Sequence, residues 1–386
     1  MSSKLKLILA LVVALSLMAV LITGCETDET EDAEEPAKEE EVEETEGEPS
    51  EDEDLTFGMV IKYPGTPFIE AFQEAAHEAA EEVGAEVIVR DGEGDAHQIM
   101  NHIDTFIVED IDGFIMAGAV DLQAIVPGIE QLNEEGIPVT ALDTCPEGGE
   151  VDYFISADIE GQSARAAEQF IEGIKDRHDG EVPEGTVIEI TGDIRDMFTQ
   201  AASDGFRSVV GEYDQLEIAQ GEGNWNNIDA QQRTSDLLTR HGDDVLGVYV
   251  QTPDIMGPGA VEAILGAGED PADYGITGIW MGPEGIELIN EGHVEGIVAM
   301  PAYVPAKMAV YLLNDIIAGE DTPEVGDTVV LEDYIGEDGE LWEPAEVKEN
   351  PWADEGKYIE LNAPMVPQDV DPDDERLWEN RLEHIF

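Results

Sequence analysis

Few side chains in this sequence could do chemistry, and they do not assemble into a reactive set. It has no phosphate-cradling G-x-x-x-x-G-K-[ST], no G-x-S-x-G nucleophile turn and no H-E-x-x-H. Gly221-Glu222-Gly223 lacks a third glycine and a basic phosphate clamp, so it reads as a turn. His97 and His102 are five apart, which is not a shared ligand face on a helix. Asp369, Asp371, Asp373 and Glu375 alternate as calcium ligands do, but no glycine supplies the sharp turn of such a loop. That run reads as a solvated acidic segment. What remains are groups that bind without reacting, namely aromatic rings and single polar side chains in short loops. These loops are Tyr63-Pro64-Gly65-Thr66-Pro67-Phe68, Asp143-Thr144, Thr191-Gly192-Asp193, Asn224-Trp225-Asn226, Gln251-Thr252-Pro253-Asp254 and Trp280-Met281-Gly282-Pro283-Glu284-Gly285. Rings cover the C–H faces of a polar solute, and carboxylates and hydroxyls take its edge. No catalytic residue, cofactor or metal is expected.

The elements that must position these loops alternate between strand and helix. Residues 55–61 form an apolar strand, and Phe68, Phe72, Ala75, Ala79 and Val83 then recur at helical spacing behind Pro67, which is suited to open a helix. Strands at 86–90, 113–116, 138–142 and 153–156 alternate with helices at 99–108 and 122–135. A second series places strands at 186–191, 216–220, 245–250 and 276–280, with helices around 163–174, 199–210, 228–240 and 259–265. Glycine or proline marks most junctions. Such alternation predicts an α/β fold of two doubly wound parallel-sheet lobes, in which ligands sit beyond the carboxyl ends of the strands. All six loops follow strands. Further on, 329–334 and 358–361 read as strands, and Trp342, Trp352 and Trp378 suit an extension packed on the body better than a disordered tail.

The chain has 386 residues and a net charge of -74, from 91 acidic and 17 basic side chains, yet 42% of it is apolar, as in a folded protein. This charge repels phosphate and excludes nucleic acid as a partner. Residues 26–54 hold Lys38 as their one base and read as an acidic, disordered tether. The acidic excess persists through the rest of the chain, which implies a source that lives in concentrated salt, where charges are screened beyond roughly 3 Å at 1 M.

Lys4 and Lys6 precede an apolar run from Leu7 to Ile22 that ends in Ile22-Thr23-Gly24-Cys25. This looks like a bacterial lipoprotein signal, with Cys25 lipidated as the mature N-terminus. The alternatives are an ordinary secretory signal or an uncleaved anchor; all three place the remainder outside the cytoplasm. Cys145 is then the one thiol left, without a disulfide partner, and reads as a small buried residue.

The loops, in their order, resemble the ribose-binding protein family, the type I periplasmic sugar receptors of ABC importers. The resemblance runs from about Leu55 to Glu320. It is carried by Thr66-Pro67-Phe68, Gly136-Ile137-Pro138-Val139 leading to Asp143, Ser156-Ala157-Asp158 before Gly161, Asp204-Gly205-Phe206, and Gly278 through Pro283-Glu284-Gly285. It implies two hinged lobes that close on one small solute and dock on a permease. Thr66 and Phe68 match the family's polar and stacking positions, Asp143 a carboxylate that pairs with hydroxyls, and Trp225 a ring that covers the sugar. Thr144 and Ala202 stand where ligand arginines are expected, Trp280 replaces a carboxylate, and Ala299 replaces an amide. Thr252 or Asp254 could take the polar role of their loop, and Arg195 and Asp196 could supply replacement contacts. Arg195 reads equally well as one side of a surface salt bridge. The rings are kept and the charged donors lost, which weakens the case for ribose itself and leaves room for a deoxysugar, a glycoside, a nucleoside or a flat or cationic solute.

The expected organisation is therefore a signal over 1–25, a tether over 26–54, a first lobe over 55–156 plus about 300–320, a second lobe over 157–299 plus about 321–335, and an extension over 336–386. The expected protein is a monomeric, lipid-anchored solute receptor whose partners are a sugar-like solute and an ABC permease, with the ligand held in the interlobe cleft. A sensory receptor of the same fold is the first rival. An exported α/β hydrolase is the second, and it would need a catalytic constellation that the loops do not offer. The charge carries its own test. The melting temperature is expected to fall steadily as sodium chloride is lowered from about 2 M to about 0.1 M; a melting temperature indifferent to salt contradicts the halophilic reading.

Overall fold

The computed structural model describes residues 55–119 and 121–380. The expected signal and tether, with Cys25, lie outside the described residues.

The first lobe is built on an eight-stranded sheet. β1 (Thr56–Ile61), β2 (Glu86–Asp91), β3 (Gly113–Ala117), β4 (Val139–Leu142) and β5 (Glu150–Ala157) pair in parallel in the order β5-β4-β3-β1-β2. β3 and β4 are buried along their whole length, as strands covered by helices on both faces must be. The covering helices are α1 (Pro67–Val83), α2 (Ala96–Val108) and α3 (Leu122–Glu134). The apolar stripe of α1 is the one its spacing predicts, with Phe68, Phe72, Ala75 and Ala79 all buried.

The chain crosses to the second lobe after β5 and enters α4 (Ile159–Arg177). β6 (Gly185–Thr191), α5 (Met197–Val210), β7 (Leu216–Glu222), α6 (Asn227–His241), β8 (Val245–Val250), α7 (Pro253–Ala267), β9 (Ile276–Ile279), α8 (Pro283–Asn290) and β10 (Val294–Val298) follow. Their sheet runs β10-β9-β8-β6-β7, all parallel. A second crossing at residues 299–302 returns the chain to the first lobe, where α9 (Tyr303–Ala318) packs on α1.

The rest of the chain departs from the sequence expectation. β11 (Thr328–Val329) and β12 (Ala345–Glu349) form an antiparallel pair that joins β13 (Glu355–Leu361), and β13 lies parallel to β5 on the edge of the first sheet. Residues 321–335, expected beside the second lobe, therefore belong with the first. The physical reason is that β5 would otherwise be an open edge, and β13 covers it. The strand expected over 329–334 ends at Val329, and Glu332–Ile335 is the short helix α10. A third crossing brings β14 (Met365–Val366) against β10, antiparallel, in the second lobe. Three crossings thus connect two sheets.

Two buried details hold the loops that matter. Gln251, at the end of β8, accepts from Gly192 N (3.0 Å) and donates to Thr199 O (3.1 Å) and Ser203 Oγ (3.0 Å), tying the β6–α5 loop to α5. Glu189, fully buried in β6, accepts from Ser203 Oγ (2.6 Å) and is ion-paired with Arg207 (2.8 Å). Cys145 is buried, its thiol pushed up to about 12 by burial, with Asn350 Nδ2 donating to its sulfur (3.3 Å).

The extension carries its own anchors. Trp352 packs edge-on against Phe154 and Tyr358, and Trp342 is buried. Trp378 is 4% exposed, donates its indole N–H to Met300 O (2.8 Å) in the second crossing, and meets the Phe68 ring at 6.3 Å. Trp378→Ala removes a buried indole and that hydrogen bond, so a loss of roughly 3–5 kcal/mol is expected in denaturant titrations at fixed salt. A loss below 1 kcal/mol would show that the extension is not an integral part of the body.

Candidate functional site

The loops that follow β1, β4, β6, β7 and β9 converge where the lobes face each other. A small enclosed cavity there is lined by Lys62, Tyr63, Thr66, Ile69 and Asp143 from the first lobe, and by Asp196, Phe198, Trp225, Ile255 and Trp280 from the second. Each polar side chain is placed by local structure. Lys62 ends β1, with its N–H on Ala117 O (3.2 Å) and its carbonyl taking Gly94 N (2.8 Å). Thr66 caps α1, its hydroxyl accepting from Ile69 N (3.3 Å). Asp196 caps α5 by accepting from Phe198 N (3.1 Å) with one carboxylate oxygen. Its other oxygen pairs with the Lys62 ammonium across the cleft. Both partners are more than nine-tenths buried.

Asp143 follows β4 and is 7% exposed. Its Oδ1 is buried and has no hydrogen-bond partner. Burial raises its carboxyl to about 7; the Lys62 charge works against that rise and Asp196 adds to it. Burial disfavours the Lys62 ammonium, but Asp196 and Asp143 outweigh this and hold it above its ordinary value.

The aromatic wall is continuous across the lobes. Trp280 meets Phe68 at 4.2 Å, Phe198 at 4.8 Å in a stacked arrangement, and Trp225 at 5.9 Å edge-on; Phe198 meets Trp225 at 5.4 Å. Gly192 makes room for this. A Cβ there would lie 2.0 Å from the Trp225 ring, so any other residue would push the indole away. The space left among the rings is about 10 Å³, room for one water and far below the roughly 300–1,000 Å³ of small-molecule pockets.

The backbone at this site is strained. Asp143 (φ 65°), Asn224 (φ 53°), Trp225 (φ 55°) and Trp280 (φ 74°) all lie in the left-handed region that favours glycine. Each costs on the order of 1–3 kcal/mol, and such residues persist where surrounding structure over-determines them, as at ligand clamps. The Trp280 indole N–H is also buried without a partner, a further cost of about 1–3 kcal/mol.

Of the residues singled out from sequence, the structure gathers Thr66, Asp143, Trp225 and Trp280 around the cavity, with Phe68 packed behind Trp280. Four others do not line it. Thr144 is fully buried and its hydroxyl accepts from Ala119 N (3.0 Å), making it a turn brace. Arg195 points to solvent and is ion-paired with Asp193, because its side chain leaves the loop on the outer face. Thr252 is buried at the start of α7 with its hydroxyl unpartnered. Asp254 is buried in the first turn of α7 and accepts from Gly285 N (3.3 Å); burial raises its carboxyl to about 7. The sequence reading missed Lys62 and Phe198. Lys62 could have been found as the one charged residue closing an apolar strand, beside a ligand loop. Phe198 could have been found as an aromatic residue in the first turn after the β6 loop.

The family described as "Periplasmic binding protein domain" matches residues 57–321. The ribose import binding protein of Bacillus subtilis is 22% identical over 69% of this chain and 83% of its own length. The D-apiose import binding protein of Actinobacillus succinogenes is 23% identical over 69% of this chain and 84% of its own. Among solved structures, an ABC transporter solute binding protein from Mycobacterium smegmatis with bound glycerol aligns with TM-score 0.63 at 23% identity, covering 70% of this chain and 91% of that one. A periplasmic solute binding protein from Actinobacillus succinogenes with bound D-allose gives TM-score 0.63 at 19% identity, covering 70% and 94%. These structural matches share the two-lobe fold.

The raised carboxyl of Asp143 sets a pH dependence. Its folded value of about 7 lies above the ordinary 3.8, so the folded state keeps a proton that the unfolded chain releases. The associated stability is full below about pH 4 and is lost as pH rises through about 7, on the order of 4 kcal/mol. The melting temperature at fixed salt is expected to drop between pH 4 and 8, with Asp143→Asn removing its share of that drop and Asp254→Asn a second share. Profiles of equal slope for wild type and D143N contradict the burial of this carboxyl.

Proposed function

Because the chain belongs to the periplasmic binding protein family, we propose that it is an extracytoplasmic receptor that captures one sugar-like solute between its lobes and delivers it to an ABC importer. The observation that carries the solute class is the unpartnered Asp143 Oδ1 beside the Lys62 ammonium, inside a cage of rings. A hydroxyl donates to a carboxylate and accepts from an ammonium, so adjacent hydroxyls of a polyol satisfy both groups. The rings match the C–H faces between those hydroxyls. The names of the relatives, which import ribose and D-apiose, agree with this class.

Mechanistically, capture needs no chemistry on the solute. Lys62, Thr66 and Asp143 approach from one lobe and Asp196, Phe198 and Trp225 from the other, so a solute touching both sets favours the closed arrangement over an open one. The three crossings at about residues 158, 300 and 363 are the hinge. Cys25 would carry the lipid that keeps the receptor at the membrane, and the acidic tether would hold it away from the surface.

A thermal-shift screen of D-ribose, D-apiose, D-allose, L-arabinose, nucleosides and amino acids in concentrated salt tests this. One sugar is expected to stabilise the protein by about 2.7 kcal/mol at a hundredfold excess over its Kd. A response confined to amino acids would overturn the sugar assignment.

A further inference from the structure

We propose that the Trp280 indole is a built-in plug of the solute slot, and that a monosaccharide-sized ring enters by displacing it; this rests on the solute-binding reading above. The position of the indole is the first argument. It lies between Phe68 of one lobe and Phe198 of the other, at 4.2 and 4.8 Å, with Trp225 on a third side at 5.9 Å. Aromatic rings on both lobes thus meet a side chain of the protein itself, stacked on Phe198 as a sugar face would be.

Space is the second argument. About 10 Å³ remains beside the indole, so no sugar fits while it stays. An indole and a pentose with its hydroxyls are similar in heavy-atom count, so one can take the other's place.

The third argument is that the parked position satisfies the rings and little else. The indole N–H is buried and unpartnered, and the residue holds φ at 74°. Asp143 Oδ1, on the opposite wall, is unpartnered as well. Leaving the cage frees the indole N–H for water, and a hydroxylated ring in its place gives Asp143 Oδ1 the donor it lacks.

The fourth argument is where the movement would fall. Trp280 N is fixed on Val298 O (2.9 Å), and Pro283 opens α8 three residues on, so the backbone is anchored at both sides. Displacing the indole is then a matter of its side-chain torsions and of the ring contacts it gives up. The sequence expectation of Trp280 as a wall of the site becomes, on this geometry, a competitor for it. The solute class that follows is a single sugar ring with one C–H face toward Phe198 and neighbouring hydroxyls at Asp143 and Lys62.

Trp280→Gly tests this, because glycine suits the left-handed backbone and leaves the slot open; Trp280→Phe is a second, partial opening. Calorimetric titrations of wild type and both variants would use D-ribose, D-allose and indole in concentrated salt. W280G is expected to take up one indole per chain where wild type takes up none. It should also bind whichever sugar the wild type binds at least tenfold more tightly, with W280F between. Sugar affinity unchanged or weaker in a cooperatively melting W280G overturns the plug and makes Trp280 a wall. If W280G does not fold, the same criterion applies to W280F. Indole uptake by W280G with no sugar bound by any of the three proteins leaves the plug standing and sinks the sugar reading. Neither indole nor sugar bound by W280G overturns the plug.

Discussion

The buried ion pair between Lys62 and Asp196 is the contact on which the closed arrangement depends. It joins the end of β1 in one lobe to the first turn of α5 in the other, and it lies at the floor of the cavity. An isolated buried pair rarely repays the cost of dehydrating two charges. Here the cost is reduced on both sides. Asp196 is already fixed as a helix cap and sits at the positive end of α5. Lys62 faces a second carboxylate, Asp143, and its ammonium is held charged. The pair is worth more as a specific interlobe register than as raw stability, since either partner left alone would be an uncompensated buried charge.

Around this polar floor the rings supply attraction without direction. Phe68, Phe198, Trp225 and Trp280 can meet in many ways, so the backbone decides how they do. Four residues held at positive φ set where Asp143, Trp225 and Trp280 point, and Gly192 removes the one obstacle to Trp225. Strain of this kind is sustainable because each loop is tied elsewhere: Asn226 caps α6 next to Trp225, Gln251 fixes Gly192, and Val298 O holds Trp280 N. These three ties lie outside the cavity, while Asp143 Oδ1 and the Trp280 indole N–H, two unsatisfied groups, lie at its wall. That division is what a receptor needs, since groups already satisfied have nothing to offer a solute.

Much of this fold was legible in the sequence because buried parallel strands leave a strong imprint. The apolar runs that became β1, β3, β6 and β8 reflect burial on both faces of a sheet, and the spacing of Phe68, Phe72, Ala75 and Ala79 reflects a helix that buries one stripe against it. β11 and β12 were hard to read for the converse reason. β11 is a two-residue edge strand and β12 a short strand between it and β13, with exposed Glu346 between its buried Ala345 and Val347, and nothing local says which sheet they join. Site residues divided along a similar line. Rings and carboxylates in loops after strands were visible as types, and the loops placed Asp143, Trp225 and Trp280 on the cavity. Direction was not visible. Arg195 and Asp196 are neighbours on one loop, yet the first points to solvent and the second caps a helix and reaches across the cleft. A left-handed residue turns a side chain in a way that no apolar periodicity records.

The placement of Lys62 also bears on the overall charge. Only 17 basic residues accompany 91 acidic ones, and most described cations sit in partly exposed pairs, such as Arg90 with Glu109 and Arg376 with Asp374. In solvent such pairs contribute little. Lys62 is instead sealed inside the cleft, where salt screens least and one ammonium governs two carboxylates. Lys62, Asp143 and the rings around them lie in the buried part of the cleft, where a single positive charge is screened less by the ionic strength outside than the exposed pairs are. Burial also raises the stakes of each unpaired group: within the cavity, an oxygen or N–H without a partner carries its full desolvated cost.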